Sequence, residues 1–310
     1  MNSHIIENPL VTVGITTYNR PNTLRQALNS VINQTYKNIE ILVSDDCSQT
    51  IEVKEIEKEF IAKDKRIKFF HQSNHEGVTF NFHYVLNRTQ GQYFMWLCDD
   101  DWIDKNYIEE CLKVIQTNTD CVIVTGETRF YSNDLFICNG IKIDVLNNNA
   151  IERVLSFHDQ ELGSANLPNF GLMKTEDVKK VPLLHILGHD NVWISNFSYL
   201  GKIKTIESTS IHRRLGGLSE SLKKIAVNFS LSAFDKYFSS LSLWLNLIKD
   251  IVYKSPVFKS MRITQRLYLA YKLTLQTIFN LEKYLNRYKE IRLYDFDSPL
   301  ENQYQSIESL

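Results

Sequence analysis

The strongest signal in the chain is the stretch Leu10-Val11-Thr12-Val13-Gly14-Ile15-Thr16, a short apolar run rich in β-branched residues. Such a run predicts a buried β-strand. Pro21 follows within a few residues, and it suits the first turn of a helix, where its missing N–H costs nothing. A helical pattern then continues to about Asn33, and its apolar stripe consists of Leu24, Ala27, Leu28, Val31 and Ile32.

The same order of strand and helix repeats as far as about residue 125. Further strands are predicted at 39–44, 67–70, 93–97 and 121–125, and further helices at about 51–62, after Gly77 and at about 105–117. This alternation predicts an α/β fold with a mostly parallel central sheet and helices on both faces. Later on, a strand is expected at 169–173, a helix near His189, a strand at 202–206 and helices from about 220 to 292, interrupted near Ser255-Pro256. Residues 128–168 show little periodicity.

Polar clusters follow three of the predicted strands, namely Thr16-Thr17-Tyr18-Asn19-Arg20, Asp45-Asp46 and Asp99-Asp100-Asp101. Ligands of parallel sheets bind beyond the carboxyl ends of the strands. Three adjacent aspartates raise one another's pKa unless a cation neutralises them, and Mg²⁺ or Mn²⁺ prefers carboxylate and phosphate oxygens. The aspartates could instead cap the next helices or face solvent. A metal site and a structural role therefore both stay open on these residues alone.

Composition excludes several classes of protein. The chain has 310 residues, of which 43% are hydrophobic and 23% charged, so it is globular and long enough for about two domains. Mean hydropathy is -0.25, and no apolar run approaches the roughly 18–20 residues that span a bilayer. The first residues do not resemble a signal peptide. The five cysteines form no C-x-x-C pair, which indicates neither a disulfide framework nor a zinc cage and favours a cytoplasmic location.

The net charge of -1 hides a basic C-terminal region. Residues 223–292 carry 13 Lys and Arg against 4 Asp and Glu, whereas the remainder is acidic. Aromatic and basic residues alternate there, as in helices that lie on anionic membranes. The alternative is a helical subdomain that packs on the core or forms an oligomer interface. A nucleic-acid partner is disfavoured, because the body is acidic and no binding motif is present.

A family resemblance adds to this pattern. The motifs that carry it are Val13-Gly14-Ile15-Thr16-Thr17-Tyr18-Asn19-Arg20, Gln34-Thr35-Tyr36, Glu40-Ile41-Leu42-Val43-Ser44-Asp45-Asp46-Cys47-Ser48, Asn74-His75-Glu76-Gly77, Gly91-Gln92-Tyr93 and Asp99-Asp100-Asp101-Trp102. In order and approximate spacing they resemble family 2 glycosyltransferases of the GT-A fold, strongly over about 9–115 and loosely over about 165–220. The resemblance implies a catalytic domain at 1–220, followed by a helical basic region at 221–310.

The resemblance also implies roles for the strand-end residues. Thr16, Tyr18 and Arg20 would surround the nucleotide base and its phosphates, and Asp46 would hydrogen-bond the base. Asp99 would contact the ribose or sugar. Asp100, with Asp101 sharing the task, would bind Mn²⁺ or Mg²⁺. The sequence departs from the family pattern at Cys98, where an aspartate is usual, and at Cys47, where a glycine is usual.

Two later segments resemble family motifs as well. Gly188-His189-Asp190-Asn191 is similar to the Glu-Asp motif at a helix start, which implies that Asp190 is the general base of an inverting transfer and that His189 lies near the diphosphate or acceptor. From the residues alone, Asp190 could equally be a helix N-cap. In the segment from Ser210 to Ser219, His212 would reach the metal and Arg213 the diphosphate, although a lone histidine is more often a surface or core residue.

The resemblance therefore implies a metal-dependent, inverting hexosyltransferase that moves a sugar from a nucleotide diphosphate, most often UDP, to a saccharide hydroxyl. Relatives often build bacterial lipopolysaccharide or capsule on lipid carriers, which would place the protein on the inner face of the membrane. One alternative is a non-catalytic nucleotide-binding or scaffold protein with the same fold. A nucleotidyltransferase is disfavoured, because no Gly-rich loop with Arg or Lys follows the first strand.

Overall fold

The computed structural model describes residues 8–132, 134–161, 168–215 and 222–280. Its first half alternates strands and helices, as predicted. The elements are β1 (Val11–Thr17), α1 (Pro21–Ile32), β2 (Ile39–Asp45), α2 (Ile51–Lys63), β3 (Ile67–His71), α3 (Val78–Leu86) and β4 (Tyr93–Cys98). These strands are parallel and lie in the order β3-β2-β1-β4.

Burial explains why these elements form. In β1, Val11, Val13 and Ile15 are fully buried and so is the intervening Thr12, because helices cover both faces of a parallel sheet. Helix α1 buries Leu24, Ala27, Leu28 and Val31, which belong to the predicted stripe, and Pro21 stands in its first turn.

The second half of the sheet is mixed. Its elements are β5 (Trp102–Ile103), α4 (Tyr107–Thr117), β6 (Cys121–Ser132), β7 (Leu135–Asn139), α5 (Ala150–Glu161), a 3₁₀ turn (Pro168–Phe170), β8 (Leu172–Lys174), α6 (Thr175–Val178), α7 (His189–Leu200) and β9 (Lys202–Arg214). Strand β8 lies between β4 and β6 and is antiparallel to both. Strand β9 is parallel to β6, and β5 is antiparallel to β9. The predicted α/β class is confirmed, with its parallel part concentrated in the first half.

Two expectations change in this half. Residues 128–168, which lack a clear sequence pattern, contain the end of β6, the edge strand β7 and helix α5. Strand β9 extends to Arg214 rather than ending near 206. His212 and Arg213 therefore lie on a strand of the sheet.

The C-terminal part is helical, as predicted. It contains α8 (Leu222–Asn228), α9 (Ala233–Tyr237), α10 (Ser239–Lys249), a π-helical turn (Asp250–Lys254), a 3₁₀ turn (Phe258–Ser260) and α11 (Ile263–Phe279). The expected interruption at Ser255-Pro256 is present. The helices share an apolar cluster with α5 and α7, formed by Val154, Val192, Leu247, Ile251, Phe258, Met261, Leu269 and Leu273. The helix expected at 281–292 lies outside the described residues, and the domain boundary at 220 stays a prediction.

Within the described ranges, no helix combines the length and the apolar character that crossing a bilayer requires.

Candidate functional site

The candidate site lies at the carboxyl ends of β1, β2 and β4. These strands are neighbours in register, with Thr17 opposite Asp45 and Thr16 opposite Cys98. The N–H of Asp46 donates to the carbonyl of Thr17 at 3.0 Å. The topology therefore brings together the three polar clusters that the sequence places at strand ends.

Asp99 is buried at the end of β4, and its carboxylate faces β1. The hydroxyl of Thr17 donates to its Oδ2 at 2.7 Å, and Nη1 of Arg20 lies 3.4 Å from its Oδ1. Burial and the nearby Asp100 raise the pKa of Asp99 to about 7, although Arg20 opposes this shift. The carboxylate is thus costly to keep charged unless cations stay close.

Asp100 and Asp101 are held by arginines. Nη1 of Arg20 donates to Asp100 at 2.7 Å. Asp101 is buried, accepts the Arg214 N–H at 3.2 Å and forms an ion pair with Nε of Arg213 at 3.4 Å. The pKa of Asp101 is raised to about 7. Burial is the main cause and Asp100 adds to it, while Arg213 lowers the pKa in part. Arg20 is bound to the aspartates in this structure, and its contact with phosphates stays a prediction.

The β4 end could hold a divalent ion. The Sγ atom of Cys98 and one oxygen each of Asp100 and Asp101 lie within 4.8 Å of one another. Two adjacent carboxylates suit Mn²⁺ or Mg²⁺, which typically take one or two carboxylates and complete their shell with phosphate oxygens and water. Burial and the three neighbouring aspartates raise the pKa of the Cys98 thiol well above its usual value, so it is protonated in the absence of an ion. The residues fit the implied metal.

The β2 end is organised differently. The carboxylate of Asp46 accepts the N–H groups of Glu76 and Gly77, both at 2.9 Å, and Nδ1 of His75 is also 2.9 Å away. Gly77 has φ +89° and ψ 168°, a conformation that is essentially restricted to glycine. Asp46 therefore anchors the loop that begins α3, and the predicted hydrogen bond to a base would have to share these oxygens.

The neighbouring Asp45 is also fully engaged. Its Oδ1 accepts from the N–H of Ser48 at 3.1 Å and from its hydroxyl at 2.5 Å. Its Oδ2 is 3.0 Å from Nδ1 of His71, whose Nε2 is 2.8 Å from Glu57. This carboxylate closes the turn after β2.

Tyr18 presents an aromatic surface beside His75, which contacts Asp46. Its ring is 38% exposed and stacks on His75, with centroids 4.1 Å apart. Thr16 lies partly buried at the end of β1. The position of Tyr18 is compatible with the predicted stacking on a base, and the base contacts of Thr16 and Tyr18 stay predictions.

Asp190 lies in the first turn of α7, after Gly188 in the left-handed conformation. Its Oδ1 accepts the N–H of Asn191 at 2.9 Å, and no ion pair joins it to a cation within the described ranges. Beside it, Nδ1 of His189 and Oδ1 of Asn191 are buried without a hydrogen-bond partner in those ranges. Such orphaned polar atoms are uncommon in folded proteins.

The segment that leads into α7 reaches the β2 end. Nδ1 of His185 lies 3.2 Å from the hydroxyl of Thr79, in the first turn of α3, and Nε2 of His83 lies 2.8 Å from the carbonyl of Leu183. The ring of His189 packs against Phe229, which directly follows α8, instead of against the aspartates. No hydrogen bond or ion pair connects Asp190 with Asp99, Asp100 or Asp101 in the described residues.

His212 has a fixed position in the sheet. Its Nε2 is 2.9 Å from Asp104, its Nδ1 is 3.1 Å from the hydroxyl of Tyr131, and its ring stacks on Trp102. It is not among the three residues whose ligand atoms converge. Metal binding by His212 stays a prediction and would require the loss of one of these contacts. Arg213 lies over the ring of Phe170 while it pairs with Asp101, and its contact with a diphosphate also stays a prediction.

Several residues of the site were not predicted. Thr17, Asp104, Tyr131 and Arg214 all contact predicted site residues. Thr17 lies within the polar cluster after β1 and could have been included on that ground. The other three come into place through the pairing of β9 with β5 and β6, for which the sequence carries no local signal.

Comparison with known proteins identifies the family. The family described as Glycosyl transferase family 2 matches residues 12–178, more than half of the chain. The chain belongs to this family. The match includes β1, β2, β4 and the aspartates after them, and the resemblance seen in the sequence motifs is confirmed.

Individual members of the family are similar over the same region. The chain is 43% identical over 105 residues to glycosyltransferase GlyA of Streptococcus pneumoniae, which covers 34% of this chain and 15% of GlyA. It is 31% identical over 125 residues to the putative glycosyltransferase EpsH of Bacillus subtilis, covering 40% of this chain and 36% of EpsH. The aligned region thus spans less than half the length of these relatives.

Solved structures share the fold over nearly the whole chain. A crystal structure of S. aureus TarS 1–349 superposes with a TM-score of 0.59 at 15% sequence identity, covering 96% of this chain and 78% of TarS 1–349. The TarS complex with UDP-GlcNAc gives a TM-score of 0.59 at 17% identity. At this identity the likeness establishes the fold alone, and it confirms the expected GT-A architecture.

Proposed function

We propose that this family 2 protein is a metal-dependent, inverting glycosyltransferase that moves a sugar from a nucleotide diphosphate to a saccharide hydroxyl. The observation that carries the proposal is the β4 end. There, Asp100 and Asp101 place oxygens side by side, and their counter-ions are arginine side chains. A polyanionic donor that brings its own divalent ion suits such a site, because each arginine can exchange a carboxylate for a phosphate.

We infer that the donor is a UDP-sugar. Structures of TarS, which shares the fold, contain UDP and UDP-GlcNAc. In this chain, the exposed ring of Tyr18 offers a stacking surface for the base, and Arg20 supplies a guanidinium at the start of α1. Asp46 contacts His75, on which Tyr18 stacks, and an oxygen shared with the loop N–H groups could accept from a base N–H.

Asp100 and Asp101 would hold Mn²⁺ or Mg²⁺. The bound ion would neutralise the charge that develops on the leaving nucleoside diphosphate. Asp99, which faces Thr17 and Arg20, is proposed to accept a hydrogen bond from a ribose or sugar hydroxyl. Arg213 and Arg214 keep the buried Asp101 oriented from the other side.

Asp190 is proposed as the general base that takes the proton of the acceptor hydroxyl as its oxygen attacks the anomeric carbon. A carboxylate that forms no ion pair in the described ranges is available for this task, unlike those at the strand ends. The orphaned Nδ1 of His189 beside it offers a hydrogen-bonding position for the acceptor or diphosphate.

A donor screen tests the proposed function. The full chain is incubated with UDP-, GDP- and dTDP-sugars, with Mn²⁺ and with a chelator, and donor hydrolysis or transfer to saccharides is measured. We expect turnover with a UDP-sugar that depends on the ion. Binding of UDP without hydrolysis or transfer of any donor would favour a non-catalytic nucleotide-binding protein, and turnover in chelator would contradict the aspartate assignment.

We further propose that the acceptor is lipid-linked and that α11 contacts an anionic membrane surface. Helix α11 has two apolar faces. One, with Leu269 and Leu273, is buried against the body of the protein. The other is exposed to solvent by 46–60%, and consists of Ile263, Leu267, Tyr268, Tyr271 and Ile278.

Charge supports an anionic partner for this face. Residues 222–280 contain nine Lys and Arg but only two acidic residues, Asp235 and Asp250. Asp250 is buried and accepts from Asn196, and Asp235 caps α9 through Ser232. The surface of these helices is therefore basic, and each lysine or arginine near an anionic bilayer contributes about 1 kcal/mol.

Vesicle flotation tests this contact. We expect wild type to float with vesicles of phosphatidylglycerol and phosphatidylcholine, and to float less with phosphatidylcholine alone. Leu267→Glu should reduce flotation, whereas Leu135→Glu, at a similarly exposed leucine of β7, should not. Unchanged flotation of Leu267→Glu would contradict the proposal. If wild type binds no lipid and is a dimer, and Leu267→Glu is a monomer, this face is an oligomer interface.

A further inference from the structure

We propose that Cys98 is a ligand of the bound divalent ion. The site then prefers ions that bind sulfur over Mg²⁺, and this preference is stronger than it would be with a carboxylate at position 98. This role of Cys98 rests on the proposed function in one respect, namely that a divalent cation binds at the β4 end. It adds a ligand and a selectivity to that function, and it concerns the one position of the aspartate motif at which this sequence departs from the family pattern.

The geometry brings the thiol into the site. Cys98 is the last residue of β4, and its Sγ lies within 4.8 Å of an oxygen of Asp100 and of an oxygen of Asp101. In a tetrahedral shell, a sulfur and an oxygen ligand of one ion lie about 3.6 Å apart when the metal–sulfur distance is about 2.3 Å and the metal–oxygen distance about 2.1 Å. Side-chain rotation that brings the three atoms together by up to about 1.2 Å would therefore close the set around a single ion.

The chemistry of the three ligands sets the preference. Coordination replaces the S–H proton of Cys98 by the metal, and the proton leaves to solvent. Mg²⁺ takes oxygen ligands and gains little from sulfur, whereas Zn²⁺, Co²⁺ and Cd²⁺ bind thiolate well. One thiolate and two carboxylates thus form a mixed set that is suited to these ions, and less suited to Mg²⁺ than three oxygens would be.

Cobalt reports directly on this bond. Co²⁺ is titrated into the full chain, with and without UDP, and the sulfur-to-cobalt charge-transfer band in the near ultraviolet is recorded. We expect the band in wild type and in Cys47→Ser, the control at the neighbouring strand end, where the thiol is also partly exposed. The band should be lost in Cys98→Ser and in Cys98→Asp, with the far-ultraviolet circular dichroism of both unchanged.

Affinity measurements complete the test. Because most sites bind Zn²⁺ more tightly than Mg²⁺, the informative quantity is the change in the Zn²⁺-to-Mg²⁺ affinity ratio between wild type and Cys98→Asp. We expect this ratio to fall by about tenfold or more, which corresponds to about 1.4 kcal/mol.

The failures of the two proposals are distinguishable. Co²⁺ that binds and supports turnover without a charge-transfer band, or a ratio that Cys98→Asp leaves unchanged, would overturn the role of Cys98 and leave the proposed function intact. Turnover that persists in chelator, together with no binding of Co²⁺ either with or without UDP, would overturn both the metal dependence and the role of Cys98 as a ligand.

Discussion

The β2 end and the β4 end each carry consecutive aspartates at the same edge of one sheet, yet they hold them in different ways. At the β2 end, Asp46 accepts two main-chain N–H groups, and Asp45 accepts from Ser48 and faces His71. Hydrogen bonds from the main chain cannot leave without unfolding the loop that supplies them. These carboxylates are therefore part of the fold.

At the β4 end, the cations that balance the aspartates belong to side chains. Arg20 bridges Asp99 and Asp100, and Arg213 pairs with Asp101. A guanidinium on a long side chain can move to a phosphate when a metal ion takes its place. The comparison teaches that acidic strand ends with similar sequences differ in whether arginine side chains balance them, as at the β4 end, or the donors of the adjoining turn and loop do, as at the β2 end.

The largest effect on activity is expected at Asp190, which accepts the N–H of Asn191 but forms no ion pair in the described residues. Asp190→Asn should lower the transfer rate by about 10²–10⁴, because the variant cannot take the acceptor proton. Its affinity for UDP should not change, since the proposed role is played toward the acceptor. Initial rates and calorimetry with UDP check both points, with Asp159→Asn on the exposed surface of α5 as the control. A near-normal rate would remove Asp190 as the base.

Asp100→Asn should lower the rate by about 10²–10³, the scale of losing one strong electrostatic contact to developing charge. Its free energy of unfolding should stay the same or increase, because one of three neighbouring like charges is removed. Initial rates at increasing Mn²⁺ and urea unfolding measure the two quantities. A variant that is clearly less stable would place Asp100 with the structural carboxylates, and the distinction between the two ends would fail.

Asp46→Asn should lower stability, unlike Asp100→Asn, which should lower activity without a loss of stability. An amide in place of the carboxylate would turn one NH₂ group toward a loop N–H, so the free energy of unfolding should fall by about 1–3 kcal/mol. Urea unfolding of the variant and of wild type measures this difference. If stability is unchanged while affinity for UDP falls, the carboxylate serves the base, as the family resemblance implies, more than it serves the loop.

Gly77→Ala tests the same loop without touching a charge. The added Cβ would meet no atom within 4 Å, so the cost comes from the backbone, which at φ +89° is strained for any other residue by about 1–3 kcal/mol. Glu76→Ala, at the adjacent exposed position, is the matched control for the loss of a side chain in the loop. Equal stability of the two variants would show that the N–H donors of Asp46 do not depend on this conformation.

Both strand ends could be located from the sequence, because the carboxyl ends of adjacent parallel strands must meet. The apolar runs of β1, β2 and β4 are buried on both faces and are hard to mistake. The donors of Asp46 could not be foreseen. They are main-chain groups of a loop 30 residues away, and Gly77 is the one residue there whose type hints at a special backbone.

The second half of the sheet was less readable for a related reason. Strand β7 exposes Leu135 and Phe136 at a sheet edge, so its pattern does not alternate. The pairing of β6 with β9 shifts register after Gly126, which lets β9 continue to Arg214. His212 and Arg214 reach the site through that long-range pairing, and no local pattern around them records it.

The smallest predicted effect is a pH dependence confined to the β2 end. Burial lowers the pKa of His71, but its hydrogen bonds to Glu57 and Asp45 outweigh this and raise the pKa above its usual value; the ring also packs on Phe69. The folded state therefore binds the proton more tightly than the unfolded state, in which the pKa is about 6.5. The resulting stabilisation is complete below that pH and is lost as the pH rises through the folded value.

His71→Gln should remove this contribution. The difference in unfolding free energy between wild type and His71→Gln should be larger near pH 6 than near pH 9, by less than about 1 kcal/mol, because the ring is partly exposed and its ion pairs are screened. Urea unfolding at the two pH values measures it, and His75→Gln controls for a histidine that is more exposed at the same end. A difference that grows with pH would mean that His71 is held neutral. Asp45 would then be fixed by Ser48 and the turn alone, and the β2 end would contain no cation of its own that matters to the fold.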